Sequence, residues 1–319
     1  MHNGIINSHL QINIFNCGGV AIGICISHKI LDGAALSLFL KGWAGTARGC
    51  SAEEVVFPNF IASSLFPINN LWLRDASLVR LGSLFKKGKC VTRRFFFDAT
   101  AIANLKAQTS SSGCVQQPTR VEVVSALLWK CFMAATKGNS GSQRPSSLTH
   151  LVNLRRRMDP ALCPENSIGN LIWLAAAEQK ADHEMELHGL VGKLRNAISK
   201  IDNEFIKKMQ SDQQGHSVMH ESLKAMGDSG TKEEVDNIGF SSWCNFGFYG
   251  VDFGWGRPIW VSSIASVASV FLNLIMLVDT RLGDGIEAWV NLDEDDVAKM
   301  VNNPELLRYA SLDPSPLIC

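Results

Sequence analysis

The chain has 319 residues, 46% of them hydrophobic and 19% charged, and its 30 basic residues balance 30 acidic ones. That length can bury a sizeable core, as one large domain or two ordinary ones. The even balance excludes the clustered Lys/Arg excess of a nucleic-acid or membrane-surface protein, and the triplet Arg155-Arg156-Arg157 is too short to change that. Nine cysteines, an odd number without a Cys-x-x-Cys pair, argue against a disulfide framework or a thiolate metal site and favour a reducing, cytoplasmic setting. The start Met1-His2-Asn3-Gly4 lacks the basic and apolar stretches of a signal peptide.

In chain order, Leu10 to Ile26 is rich in Ile and Val and interrupted by Gly18-Gly19, which predicts two strands meeting at a turn. Gly33 to Ala47 predicts a helix with Leu36, Phe39, Leu40 and Trp43 on its apolar side. Cys50 to Arg74, with Pro58 and Pro67, has little periodicity and suits a crossing segment. Cys90 to Phe97 predicts a strand and Ala99 to Thr109 a helix, followed by the break Ser110 to Gly113. Thr119 and Glu122 stand at capping-box spacing before an apolar face along Val123, Leu127 and Cys131.

Leu148 to Leu154 predicts a strand running into the arginine triplet, with His150 at a strand end. Ala181 to Lys208 is expected to be mostly helical, and the polar stretch Ser211 to Lys232 a surface excursion. Val261 to Val278 is apolar enough to raise a membrane span. Its Ser262, Ser263, Ser266, Ser269 and Asn273 favour two buried strands joined by a bend instead. A last strand pair around Ile275 and Ala288 precedes Asp293 to Asp296, whose charge suits a helix start before Val297 to Leu307. Strands and helices mixed without strict alternation favour an α/β sandwich over a doubly wound sheet.

The chemistry concentrates at Ser27-His28-Lys29-Ile30-Leu31-Asp32-Gly33, where an imidazole follows directly on the apolar run Val20 to Ile26. Histidine takes and returns a proton near neutrality, so His28 is a candidate general base on a strand end. The same residues also suit a plain helix start, with Asp32 as N-cap of the helix from Gly33. Far downstream stands Asp252-Phe253-Gly254-Trp255-Gly256-Arg257-Pro258. Its Asp-Phe-Gly matches part of a kinase motif, but no His-Arg-Asp loop or Val-Ala-Ile-Lys strand accompanies it. Glycines beside Phe253 and Trp255 suggest a tight turn, with Trp255 packed in the core or walling a pocket. His216 and His220 have zinc-like spacing without a third ligand nearby, so no metal is expected. No Gly-x-Ser-x-Gly elbow offers a serine nucleophile.

His-x-x-x-Asp-Gly followed by Asp-Phe-Gly-Trp-Gly resembles the plant acyl-CoA-dependent acyltransferases known as the BAHD family. The phrases Asn13 to Gly19, Val152 to Arg155, Leu277 to Arg281 and Gly283 to Trp289 are most similar to its vinorine synthase-like branch of alkaloid acetyltransferases. The resemblance implies a two-domain α/β sandwich like chloramphenicol acetyltransferase, with a solvent channel between the domains. Residues 1–60 would belong to the first domain, rejoined by the returning segment 245–275. Residues 61–244 and 276–319 would form the second.

It further implies a monomer that acylates a small-molecule alcohol such as an alkaloid, with acyl-CoA, by its branch acetyl-CoA, as co-substrate and no bound cofactor. His28 would be the base facing a water-excluded passage, and Asp252 an essential residue. Asp32, Gly33, Arg155, Gly254, Trp255 and Gly256 would support the site, Asp32 by pairing with Arg155 rather than by orienting the imidazole. In the family the His motif follows most of a first domain. Here it begins at residue 28, so the resemblance implies an incomplete first domain and an N-terminally truncated chain. An active enzyme and a catalytically inactive remnant both fit that pattern.

Overall fold

A computed structural model of the chain describes residues 8–67, 85–111, 113, 115–137, 144–181, 186–211, 214–230, 235–263 and 270–316. Two antiparallel strands come first, β1 (Ser8–Ile14) and β2 (Val20–Ile26). They are joined by a turn in which the Phe15 N–H donates to the Gly19 carbonyl at 2.9 Å. Helix α1 (Gly33–Ala47) follows, then the short α2 (Ala62–Leu65).

The main body is a seven-stranded mixed sheet. Its order is β11 (Ser311–Leu312), β4 (Cys90–Phe97), β10 (Ile286–Asp293), β9 (Leu274–Asp279), β7 (Asp236–Ser242), β5 (Ser146–Asn153) and β6 (Ile172–Gln179). The β9–β7 and β7–β5 pairs are parallel and the other pairs antiparallel. A separate pair joins β3 (Phe85–Lys87) to β8 (Val270–Leu272).

One face of the sheet carries the core. Phe95, Phe97, Leu148, Ile238, Phe240, Ile275, Leu277 and Val290 point to the helices and are buried. Against them lies α4 (Arg120–Ala135), flanked by α3 (Ala99–Ser110) and α5 (Leu187–Ser199). The predicted capping box closes α4 at its start. Thr119 Oγ1 accepts from the Glu122 N–H at 3.2 Å, and Glu122 Oε2 from the Thr119 N–H at 2.7 Å. Two free helix N–H groups are thereby satisfied. Beyond α5 come α6 (Asn203–Met209), α7 (Gly215–Gly230), α8 (Glu294–Met300) and α9 (Pro304–Tyr309).

Three expectations need correction. Ser211 to Lys232 is not an irregular excursion over its described part: α7 forms there, seated by buried Leu223 and by a 3.2 Å bond from Trp173 Nε1 to Ser222 Oγ. His150 is not at a strand end but inside β5, because that strand begins two residues earlier, on buried Ser146 and Ser147. Ile172 to Gln179, where no strand was expected, pairs along its whole length with β5. Val261 to Val278 does supply two strands, β8 and β9, with Asn273 between them. Among the described residues no helix is long and apolar enough to cross a membrane.

The buried His150 has a consequence for stability. Its ring stacks on Phe240 with centroids 6.1 Å apart, Nδ1 meets the Leu151 carbonyl at 2.9 Å, and Nε2 has no partner among the described residues. Burial holds its pKa below the ordinary imidazole value. The folded state therefore binds fewer protons here than the unfolded chain, and stability present above about pH 6.5 is lost as pH falls. Urea unfolding between pH 8 and 5 should show a decline approaching about 1.4 kcal/mol per pH unit, part of which disappears in His150→Phe. An identical pH dependence in the variant would refute this assignment.

Candidate active site

Local chemistry sets the position of His28. The strand β2 ends at Ile26, a turn closes through the Ile30 N–H to the Ser27 carbonyl at 3.0 Å, and α1 starts at Gly33. Asp32 is the N-cap, its Oδ1 accepting from the Ala35 N–H at 2.9 Å. Its other oxygen, Oδ2, accepts from Arg155 Nη1 at 2.8 Å and from the Leu171 N–H at 2.9 Å. Both carboxylate oxygens are thus committed to structure. That arrangement orients the helix start and leaves the dyad alternative without a free oxygen.

Arg155 completes the clasp. Nε donates to the Ser167 carbonyl at 3.0 Å, Nη2 to the Gly169 carbonyl at 3.0 Å, and Nη1 also to Asn153 Oδ1 at 3.2 Å. Asp32 and Arg155 are each 3% exposed. A planar fork with five donors suits such a site as lysine would not. The arginine triplet divides its roles. Arg156 is solvent-facing near Glu165, whereas Arg157 Nη1 donates to the Ile198 and Ile201 carbonyls at the end of α5.

The loop around Ser167 to Leu171, which the sequence reading missed, holds the His28 loop from the other side. Asn170 Nδ2 donates to the His28 carbonyl at 2.7 Å. Gly169 and Leu171 engage Arg155 and Asp32, and Asn59 bridges to Ser167. The Gly169-Asn170 pair was the available signal, a turn dipeptide with no apolar period around it.

Gly33 is required by a close approach. A Cβ there would stand 2.7 Å from Trp243 Nε1 and 3.1 Å from Cδ1. The indole cannot easily give way, because it packs on Phe248 at 5.1 Å and its backbone N–H is bound to the Leu277 carbonyl at 2.7 Å. Gly33→Ala should therefore cost about 1–3 kcal/mol of stability by overpacking. Chemical denaturation reads this directly, and an unchanged midpoint would contradict the contact.

The Asp252 segment docks on α1. Ser37 Oγ and Lys41 Nζ both donate to the Phe246 carbonyl, at 2.5 and 2.8 Å. Trp43 meets Phe253 edge-on at 4.8 Å, and Phe253 stacks on Trp255 at 5.6 Å. Asp252 Oδ1 accepts from the Gly254 N–H at 2.8 Å and the Gly256 N–H at 3.1 Å, closing a turn in which both glycines have positive φ, 98° and 107°. The Gly254 and Gly256 N–H bonds, with Arg48 and Arg257 nearby, hold the Asp252 carboxyl below its ordinary range. Asp252 thus acts on its own loop.

Two site expectations fail in this structure. Trp255 is 68% exposed rather than a core residue, because the turn closed by Asp252 carries it outward with its ring stacked on Phe253. His28 is exposed rather than enclosed, because the described residues place its loop at the surface, beyond the end of β2. Elsewhere, burial foremost pushes the nearby Cys244 thiol up to about 12, so it offers no thiolate nucleophile. Among the described residues no three His, Cys, Asp or Glu side chains are placed to hold a metal ion.

The Transferase family model matches residues 8–307. The chain belongs to the BAHD acyltransferase family. It is 47% identical over 318 residues to an epi-neemfruitin B 7-O-acetyltransferase of Melia azedarach, covering 99% of this chain and 69% of that protein. It is 45% identical over 321 residues to a limonoid 7-O-acetyltransferase of Citrus sinensis, again covering 99% and 69%. The crystal structure of vinorine synthase superposes with a TM-score of 0.75 at 32% identity, covering 96% of this chain and 66% of that one. This family member therefore has the mixed α/β acyltransferase fold and spans about two thirds of the length of these relatives.

Proposed function

We propose that this BAHD chain, or the protein of which it is part, transfers an acyl group from acyl-CoA to a hydroxyl of a plant specialised metabolite, with His28 as general base. The observation that carries this reading is the Asp32–Arg155 clasp, which fixes the loop presenting His28 while committing the aspartate elsewhere. In the step proposed, the imidazole removes the alcohol proton as the oxygen attacks the thioester carbonyl. The tetrahedral oxyanion collapses, the C–S bond breaks, and the imidazolium returns the proton to the departing coenzyme A sulfur. General-base help of this kind contributes about 10²–10⁴-fold. Asp252, Gly254 and Gly256 shape the loop that packs on α1, and we assign them a structural part.

Acetyl as donor and a limonoid alcohol as acceptor are favoured by the names of the Melia and Citrus relatives, at 47% and 45% identity. An alkaloid acceptor has support from weaker similarity, 35% to vinorine synthase of Rauvolfia serpentina. The domain division 1–60 with 245–275 against 61–244 with 276–319 belongs to the same proposal, supported by the contacts of α1 with Phe246 and Phe253. Coenzyme A release from acetyl-CoA in the presence of a limonoid 7-alcohol and of alkaloid alcohols tests the reading. Release dependent on the limonoid is expected, and no release with any alcohol would refute it for this chain. A catalytically inactive remnant is the second reading, favoured by the exposure of His28.

A further inference from the structure

Beyond its capped start, helix α1 is hydrogen-bonded to distant parts of the described fold at one atom. That atom is the Phe246 carbonyl oxygen, which accepts from both Ser37 Oγ and Lys41 Nζ. Whatever fixes this carbonyl therefore fixes the middle of the helix. The residue before it, Asn245, stands in the left-handed region at φ 66°. Asparagine tolerates that conformation better than most residues but still has to be held in it. Here the Asn245 N–H donates to Asp279 Oδ2 at 2.6 Å, a charge-assisted bond. On the other side of Phe246, Gly247 is also left-handed at φ 73°, and a Cβ there would stand 3.0 Å from Lys41 Nζ.

Asp279 is itself anchored. It ends β9, and its Oδ1 accepts from Arg120 Nη2 at 3.1 Å. Arg120 opens α4, and its Nη1 donates to the Gly283 and Gly285 carbonyls of the loop after β9. Both side chains of the pair are largely shielded from solvent. A planar fork serves these separate acceptors at once, as a lysine would not. A continuous line of bonds thus runs from α4 and the sheet, through Arg120, Asp279 and Asn245–Phe246, to Ser37 and Lys41 on α1. The Asp32 clasp holds the start of the same helix from the Arg155 side. One point of attachment lets a rod pivot, whereas two set its direction. We propose that Asp279, kept in place by Arg120, is a positioning residue for His28. It sets the direction of α1, and with it the place of the imidazole on the loop that leads into that helix. This inference rests on the acyl-transfer reading above, and adds to it a residue with no hydrogen bond to the His28 loop among the described residues.

Asp279→Asn keeps the shape of the side chain and removes the charge that draws both Arg120 and the Asn245 N–H. It is compared with wild type and with Glu305→Gln at matched folded concentration. Glu305→Gln serves as comparator because it removes another half-buried ion pair, Lys130 with Glu305 at 2.8 Å, which joins α4 to α9. A misplacement of about 1 Å at a reacting group costs up to about 10²-fold in rate. Asp279→Asn is therefore expected to lower kcat for coenzyme A release at least about tenfold per folded molecule, with KM for acetyl-CoA within about twofold. Glu305→Gln should leave both constants unchanged. Hydrogen exchange on the same samples should quicken at least about tenfold over residues 33–41 and 246–248 of Asp279→Asn, with β10 unaffected. Should Asp279→Asn fail to fold, Arg120→Lys, which keeps the charge but not the fork, carries the same expectations. Should the wild type release no coenzyme A, the acyl-transfer reading fails and exchange alone decides whether Asp279 fixes α1. A kcat equal to that of Glu305→Gln from an active wild type would overturn the proposal. So would exchange unchanged over residues 33–41, or exchange that rises equally in β10.

Discussion

Asp32→Ala should lower the folding free energy by about 4–6 kcal/mol, enough to leave the protein largely unfolded or insoluble near room temperature. Removing one partner of a buried ion pair strands the other charge, at roughly 3–5 kcal/mol. Loss of an N-cap adds about 1 kcal/mol. Both penalties fall on the same residue here, since one carboxylate caps α1 through Oδ1 and binds Arg155 and Leu171 through Oδ2. Asp32→Asn keeps an oxygen for the cap but loses the charge, so it should fall between wild type and Asp32→Ala. Urea unfolding of the three proteins, followed by far-ultraviolet circular dichroism, gives the order. A loss below about 1 kcal/mol for Asp32→Ala would mean that Arg155 is satisfied without it, and the clasp would not be what fixes the His28 loop.

How far the sequence disclosed this arrangement depends on the range of each interaction. The cap at Asp32 and the box at Thr119 and Glu122 act across three residues, so their spacing reveals them. The β1–β2 ribbon was legible for the same reason: alternation on both sides of Gly18-Gly19 leaves little choice of register. The stretch Ile172 to Gln179 was not, because Ala175-Ala176-Ala177 has no strand preference of its own. It is extended because β5 pairs with it throughout, a case of tertiary context overriding propensity. Likewise α7 is polar over most of its length; its Leu223 is buried, and the bond that reaches Ser222 comes from Trp173, 49 residues away.

At the site, the pairing of Asp32 with Arg155 followed from family resemblance, since 123 residues separate the partners. The residues that complete the clasp contribute mainly backbone groups, at Ser167, Gly169 and Leu171, which no side-chain pattern announces. Gly33 was noted as part of a motif. The reason for glycine, the indole of Trp243 occupying the space of a Cβ, lies 210 positions away in sequence and becomes visible only in the fold. Trp255 shows the opposite error: a large apolar residue beside glycines suggested a core, yet the turn built on Asp252 carries it outward.

His28→Ala should separate activity from stability. The ring is exposed, and the loop is held through the His28 carbonyl by Asn170, through Asp32 and through the turn to Ser27. Truncating an exposed side chain away from such contacts changes stability by about 0.5 kcal/mol or less. Removing a general base from an alcohol-to-thioester transfer should instead cost about 10²–10⁴-fold in rate. The two variants thus bracket the account, with Asp32→Ala losing fold and function together and His28→Ala losing function alone. The most direct measurement is coenzyme A release from acetyl-CoA with a limonoid alcohol, by wild-type and His28→Ala proteins matched for folded concentration. The account predicts steady release from the wild type and a rate at least about a hundredfold lower from the variant. Equal rates from the two, or no release from folded wild-type protein, would contradict it.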